Sequence, residues 1–275
     1  DFFEAYLILT LDSIKKKNFK NTNKYLNELS RFKENSTFKL IIYESLKNYI
    51  YLFENKQTLS NGNDLGNLSL INNAFHSCYL ADQQTENHFE NLFDSGEFDY
   101  SRYIFFYINY LIEQKQFVKA KEITDQLDIL SSSLLIAQTK NWIDNNEFKK
   151  FNHIFSCNNE TDILSEFFFL ISNIYSSEDE IEKSNFYLNI SNFLNPKFHF
   201  NLSLFVENYY NNKNYRKTEK VLDDFDESDD LYYWYKIKIK TKIISQELGK
   251  EQAYNFINSK FKKIKKPSIK ILYDM

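Results

Sequence analysis

The chain has 275 residues, and its 34 Lys and Arg against 38 Asp and Glu give a net charge of −4, which argues against a broad nucleic-acid-binding surface. Hydrophobic residues make up 43% and aromatic residues 18%, so the chain can bury a sizeable core, and this composition argues against intrinsic disorder. Only four Gly and two Pro are present. Because sheets and nucleotide-binding folds need many tight turns, this scarcity favours helices joined by short polar loops.

Apolar residues recur with helical periodicity along the whole chain, in successive pairs of segments. The first helices of these pairs are predicted at 3–17, 37–55, 66–82, 99–114, 132–145, 162–177, 198–212 and 230–247. The second helices are predicted at 20–32, 85–94, 118–129, 148–157, 179–194, 215–226 and 250–263. The second unit is irregular, because residues 57–67 hold half of the glycines and replace a full second helix with a loop.

A polar corner followed by an aromatic residue recurs between paired helices, at Phe19, Phe117, Phe148 and Tyr215. The separations of 98, 31 and 67 residues fit a period of 31 to 35. We expect these corner aromatics to be largely buried at the unit junctions. Small residues such as Ser184 are expected to let the paired helices approach closely.

One unit carries large, small and turn residues at a characteristic spacing, and the next unit repeats much of the pattern. The residues are Phe168, Ile171, Ser172, Tyr175, Ser184, Leu188, Ser191 and Pro196, then Leu202, Phe205, Tyr209, Tyr215, Thr218, Leu222 and Phe225. This pattern resembles the tetratricopeptide repeat (TPR) family, most clearly over 99–263, and the chain is also similar to long bacterial proteins with such repeats in series. The resemblance implies an all-α fold, a right-handed α-α superhelix of about eight helix pairs in a single solenoid over 1–275. The chain begins at Asp1 without an initiator Met, and it ends at Met275 just after a new apolar stretch has begun. We therefore expect it to be a segment of a longer protein.

The search for catalytic or metal-binding motifs gives no nucleophile elbow, phosphate loop or metal-ligand spacing. The chain is therefore predicted to have no enzymatic activity, cofactor or metal. Cys78 and Cys157 give no disulfide framework and no CxxC motif, and both are expected to be buried thiols. His76 and His88 are predicted to face each other across paired helices and share a hydrogen bond, with a metal site as the alternative. The basic stretch 261–270 is interpreted as a solvated face, with an anionic-surface patch as the alternative.

In TPR solenoids the first helices line a concave surface that binds extended peptides or partner helices. The resemblance places a candidate binding groove at Arg102, Phe105, Asn109, Lys140, Phe169, Asn173, Glu207, Tyr210 and Lys238. Four of these, Asn109, Lys140, Asn173 and Glu207, fall on equivalent turns and should form a ladder. The Asn amides could pair with a peptide backbone, and Phe105 and Phe169 could form apolar pockets. The alternative is that these are ordinary solvated residues.

The leading functional hypothesis is a protein-interaction scaffold or adaptor that binds a protein or peptide partner on its concave face. Two alternatives stay open: a ligand- or peptide-sensing regulatory module, and an accessory part of a larger enzyme or envelope-assembly protein. No nucleic-acid partner is expected. The longest apolar run, Tyr103 to Ile112, is too short to span a bilayer, and the compartment stays open between cytoplasm and periplasm.

Overall fold

A computed structural model describes residues 2–59, 65–94 and 101–275, and 77% of these residues are helical. No strand occurs in these described ranges, which confirms the predicted all-α class. The helices are α1 Phe2–Lys15, α2 Phe19–Leu29, α3 Thr37–Asn55, α4 Asn67–Leu80, α5 Thr85–Asp94, α6 Ser101–Glu113, α7 Phe117–Asp125, α8 Leu134–Asp144, α9 Lys149–Ile154, α10 Glu160–Ser177, α11 Ile181–Leu194, α12 Leu202–Asn211, α13 Tyr215–Leu222, α14 Asp230–Glu247, α15 Lys250–Phe261 and α16 Ile269–Asp274. Short 3₁₀ turns at Ser30–Asn35 and His199–Asn201 join some of them.

Neighbouring helices pack in pairs, most extensively α10 with α11 and α1 with α2. The boundaries of α3 and α14 are those predicted, whereas α9 is shorter than its predicted range and α16 was not predicted. In the irregular second unit, residues 57–59 are non-helical and α4 begins at Asn67. The rest of that predicted loop, residues 60–64, lies outside the described residues.

The polar corners share one backbone geometry. Lys17, Lys115, Asn146 and Lys213 have φ between 54° and 61°, and each stands two residues before a predicted corner aromatic. At Lys115 the N–H bonds to the carbonyl of Ile112, and the next N–H bonds to that of Leu111. This is the Schellman helix ending, built here without glycine.

The corner aromatics themselves are less buried than expected. Phe117 is 39% exposed and Phe148 is half-buried, although their ring centroids are 4.5 Å apart across the junction of two units. Tyr215 is also half-buried, against Tyr210. The prediction of large burial was wrong for Phe117, whereas Phe148 and Tyr215 are partly buried and pack against the main core.

Small hydroxyl residues line the contact between α10 and α11. The hydroxyls of Ser165 and Ser191 are 3.0 Å apart, and those of Ser172 and Ser184 are 3.1 Å apart. All four side chains are buried. Their size lets the two backbones approach, and their mutual hydrogen bonds satisfy the buried hydroxyls. This confirms the role predicted for Ser184.

α10 and α11 also contact helices far away in the sequence. α1 packs on both, and the Lys15 ammonium donates to the carbonyl of Phe193, 178 residues away. The Tyr49 ring lies 6.0 Å from that of Phe167. In an array in which each repeat contacts only its neighbours, such contacts do not form. A superhelix therefore stays a prediction, and the described helices share one continuous main core.

Cys78 in α4 and Cys157, just before α10, form a disulfide, so the prediction of two free thiols was wrong. Both residues are buried, as expected. The sequence separation of 79 residues gives no hint of the pairing, which arises because tertiary packing sets α4 beside the start of α10. In the chain-entropy model, closing a loop of this length stabilises the fold by about 4–5 kcal/mol.

Candidate functional site

Three of the nine predicted groove residues, Phe105, Asn109 and Phe169, are buried in the core. Phe105 and Asn109 in α6 are fully buried, Phe105 against Phe151 and Phe198. The Asn109 amide donates to the carbonyl of Phe155 at 3.2 Å. Neither side chain can contact a peptide, and this part of the prediction was wrong. The physical reason is that nine of the thirteen residues of α6 are buried, because neighbouring helices cover it on several sides.

Arg102 is anchored by three groups. Its Nε and Nη2 donate to the Glu166 carboxylate at 2.7 Å each, and Nη2 donates to the Asn201 amide oxygen at 2.6 Å. The guanidinium carbon lies 3.7 Å from the centroid of the Phe169 ring. Glu166 is 2% exposed, and its burial raises its pKa while Arg102 pulls it back down. Arg102 and Phe169 are thus joined in one structural unit.

Three other predicted groove residues lie apart. Lys140 forms ion pairs with Asp125 at 2.9 Å and Asp144 at 3.0 Å. Asn173 is exposed, and the Tyr210 ring packs on Tyr215. With Asn109 buried, the predicted four-residue ladder does not form as one accessible row.

Arg102, Glu207 and Lys238 are brought together at the edge of one cavity of about 280 Å³. The cavity lies between α6, α8, α12, α14 and α16. Its remaining lining residues are Ser132, Ser133, Leu134, Leu135, Ala137, Phe200, Ser203, Leu231, Trp234, Tyr235, Lys270 and Asp274. Its size falls just below that of common small-ligand sites.

The charges of this cavity are largely paired. The Lys238 ammonium lies 2.9 Å from the Asp274 carboxylate, and Lys270 lies 3.5 Å from the same group. Lys270 also donates to the carbonyl of Leu130. Glu207 is exposed at the mouth, yet partial loss of water around its carboxyl raises its pKa, which Lys242 lowers. No ion pair to Glu207 is found among the described residues.

One wall of the cavity is α16, whose Ile271 is fully buried. It packs in a small separate cluster with Ala137, Leu231, Trp234 and Ile237. We call these four residues, with Lys238 and the Leu130 carbonyl, the α16 seat. The other apolar side chains of this helix point outward: Ile269 is 67% and Leu272 54% exposed.

The interpretation of 261–270 as a solvated face was thus wrong at its end, where Lys270 is held in the α16 seat. A signal for α16 was present in the sequence. Ser268 follows Pro267 and caps the helix by accepting a hydrogen bond from the Ile271 N–H.

His76 and His88 do not form the predicted hydrogen bond. The buried His76 packs edge-on against Tyr49, with ring centroids 4.9 Å apart, and its Nε2 has no hydrogen-bond partner among the described residues. Burial lowers the pKa of His76 to about 4, so the ring is neutral. Within the described part of the chain, no group of three or more His, Cys, Asp or Glu side chains could hold a metal ion.

Comparison with protein-family models, with curated proteins and with solved structures gives no match for this chain. Among the described helices, none combines the length and the apolar character needed to cross a bilayer.

Proposed function

We propose that the chain is a non-enzymatic interaction module that binds a short segment of a partner protein in the α16 seat. Its helix pairs are arranged, in this proposal, as a TPR-type right-handed superhelix, and the recurring left-handed corners support such a repeat. The partner segment carries an apolar anchor with a basic residue just before it and an acidic residue three positions after it. Ile271, Lys270 and Asp274 have this arrangement.

The observation that carries the proposal is the way α16 is held. A helix of six residues is marginal by itself in water, so its position depends on the surface that receives it. That surface supplies an apolar pocket for one side chain, a carbonyl acceptor for Lys270 and an ammonium for Asp274. These are the elements with which grooves recognise short helical segments.

The test uses the full chain with Ile271→Asp, which removes the anchor of the resident helix. A fluorescent peptide with the sequence of residues 268–275 is titrated, and its anisotropy is recorded. We expect saturable binding to this variant. Leu272→Asp is the matched control, because Leu272 is exposed and its replacement leaves the resident helix in place. The control should bind the peptide at least tenfold more weakly, since the tethered helix competes at high effective concentration.

Equal affinity of the two variants for the peptide would show that it binds elsewhere. Absence of saturable binding to Ile271→Asp, with the helical circular dichroism unchanged, would overturn the proposal. A peptide in which Asp replaces the anchor Ile should not bind, and its binding would contradict the assigned contact.

A further inference from the structure

A second cavity, of about 510 Å³, lies between α1, the start of α3 and the turn that joins α10 to α11. Aromatic rings form its wall. The Phe38 and Tyr175 centroids are 4.6 Å apart, and the rings of Tyr175 and Tyr187 stack in parallel at 5.4 Å. Phe186 extends the wall beside Tyr187 at 5.1 Å. The cavity shares no residue with the α16 seat.

Two tyrosine side chains that line this cavity have hydroxyls with no hydrogen-bond partner among the described residues. Tyr175 is 7% and Tyr187 is 4% exposed, and both line the cavity. Neither hydroxyl makes a hydrogen bond within the described residues, and neither is among the fully buried polar atoms that lack a partner. Each is therefore available to a bound group.

Carboxylates surround the aromatic wall. Glu4 pairs with Lys39 at 3.6 Å and Glu180 pairs with Lys183 at 3.1 Å, whereas Glu178 and Glu182 form no ion pair within the described residues. Four carboxylates and two ammonium groups leave two negative charges at the rim. Burial raises the pKa of Tyr175, and Glu178, Glu180 and Glu4 raise it further because they lie near its hydroxyl.

An ammonium group already lies over one ring of the wall. The Lys183 Nζ is 5.5 Å from the centroid of Tyr175. The Lys183 side chain is 55% exposed, so a stronger cation can displace it. Aromatic faces attract cations, and an adjacent carboxylate adds to that attraction.

We propose that this cavity binds an alkylammonium group. The ammonium lies over the Tyr175 face, its charge is neutralised by Glu178 and Glu182, and the alkyl chain runs along the aromatic wall. A lysine side chain of a partner protein and a free polyamine both present this chemistry.

The test is calorimetric titration of the full chain at low salt with Nα-acetyl-lysine methylamide. The neutral norleucine analogue serves as the comparison ligand. We expect saturable binding of the lysine derivative, at least tenfold tighter than that of the norleucine analogue. Spermidine is titrated in a second arm: affinity at least tenfold above that of the lysine derivative assigns the site to a polyamine, and lower affinity assigns it to a lysine side chain.

Two variants locate the site. Glu178→Gln combined with Glu182→Gln should weaken binding at least fivefold. The matched control, Glu219→Gln with Glu247→Gln, removes two exposed carboxylates elsewhere and should change affinity less than twofold. Lys183→Met should tighten binding, because it removes the resident ammonium. Tyr175→Phe should retain the cation-binding face, whereas Tyr175→Leu should lose it.

Three results would overturn the proposal. The lysine derivative does not saturate the protein by about 50 mM; the norleucine analogue binds equally well; or the control pair weakens binding as much as the Glu178 and Glu182 pair. If Tyr175→Leu does not fold, the two carboxylate pairs still decide the outcome, because all four residues are exposed.

Discussion

Two titratable side chains near the disulfide have shifted pKa values, the buried His76 and the half-buried Asp162. His76 is on α4 and Asp162 is in the first turn of α10. Burial raises the pKa of Asp162 to about 6, although the Ser156 N–H donates to its carboxylate at 3.0 Å. Burial lowers the pKa of His76 to about 4. As the pH falls from 6 to 4, protonation of Asp162 therefore stabilises the fold, whereas protonation of His76 in the unfolded chain destabilises it.

Replacing Asp162 by Asn should stabilise the protein at neutral pH. The folded-state pKa of about 6 exceeds the ordinary value of 3.8, so the unfolded chain loses its proton first as the pH rises. The contribution of the neutral Asp162 carboxyl to the free energy of unfolding is therefore present below pH 4 and lost by pH 6. Asp162→Asn removes that loss and should gain about 1–3 kcal/mol at pH 7.5 and nothing at pH 4. Urea unfolding at a series of pH values measures this.

Asp224→Asn is the control, because Asp224 is exposed and should leave the pH profile unchanged. A gain of the same size at both pH values would show that burial of the Asp162 charge is not its cause.

Removing Arg102 should strongly destabilise the protein. Arg102→Ala leaves the Glu166 carboxylate buried without its counter-charge, which costs about 3–5 kcal/mol. Replacing both residues by Met should cost much less, because no charge is then left buried. Arg31→Ala, at an exposed pair with Glu28, should cost less than about 1 kcal/mol. Denaturant unfolding compares the three, and a double variant less stable than Arg102→Ala would contradict this account.

At the scale of residues, the sequence predicted which residues lie on helices more accurately than it predicted which side chains are exposed. Arg102, Glu207 and Lys238, from three different helices, line one cavity. Phe105 and Asn109 could not be placed from α6 alone. A polar residue in an apolar helix is equally compatible with an exposed groove and with a buried, hydrogen-bonded amide. Asn109 is buried because its amide donates to the carbonyl of Phe155, which the sequence of α6 does not reveal.

Helix endings are the recurring element of this molecule. Several corners place a lysine or asparagine in the left-handed region, which costs residues with a Cβ more than it costs glycine. Lys115→Gly should therefore raise stability by about 0.5–1 kcal/mol, since relief of strain exceeds the added entropy of the unfolded chain. Lys121→Gly, in the exposed middle of α7, should instead cost about 1 kcal/mol. Thermal unfolding of both variants tests the contrast, and destabilisation by Lys115→Gly would count against it.

Helix pairs were predictable because their signals are local. Asn159 caps α10 and Asp229 caps α14, each by accepting hydrogen bonds from the first-turn N–H groups. The helix α16 was missed because the stretch before it is rich in lysine and the helix has only six residues. The disulfide has no local signal, since its two cysteines are 79 residues apart, Cys78 in α4 and Cys157 in the turn before α10.

On the scale of the whole molecule, α1 closes against the α10–α11 hairpin. Leu7 in α1 is fully buried, and Leu7→Ala should cost about 2–5 kcal/mol. Because α1 contacts α10 directly, amide hydrogen exchange in α10 should become faster in this variant. In a nearest-neighbour array, faster exchange would be confined to α2 and α3. Exchange measured by mass spectrometry, with the exposed Ile8→Ala as the control, distinguishes the two.

This closure could not be predicted from the repeat pattern. Periodicity reports which residues of a helix face a partner, but it does not say which partner. The apolar face of α1, which includes Phe3, Leu7 and Leu11, could be covered entirely by the helix pair that follows it in the sequence. The contact with α10 and α11 depends on the orientation of all the helices in between, which is the sum of many small angles between neighbouring helices.

The docking of α1 has a consequence for synthesis on the ribosome. The carbonyl that receives Lys15 is made 178 residues later, in α11. At translation rates of 5–20 residues per second, α1 waits roughly 9–36 s for the hairpin that covers it. During that interval its apolar face is exposed to solvent and to other nascent chains. α1 is therefore a natural place for a chaperone to bind this chain during its synthesis.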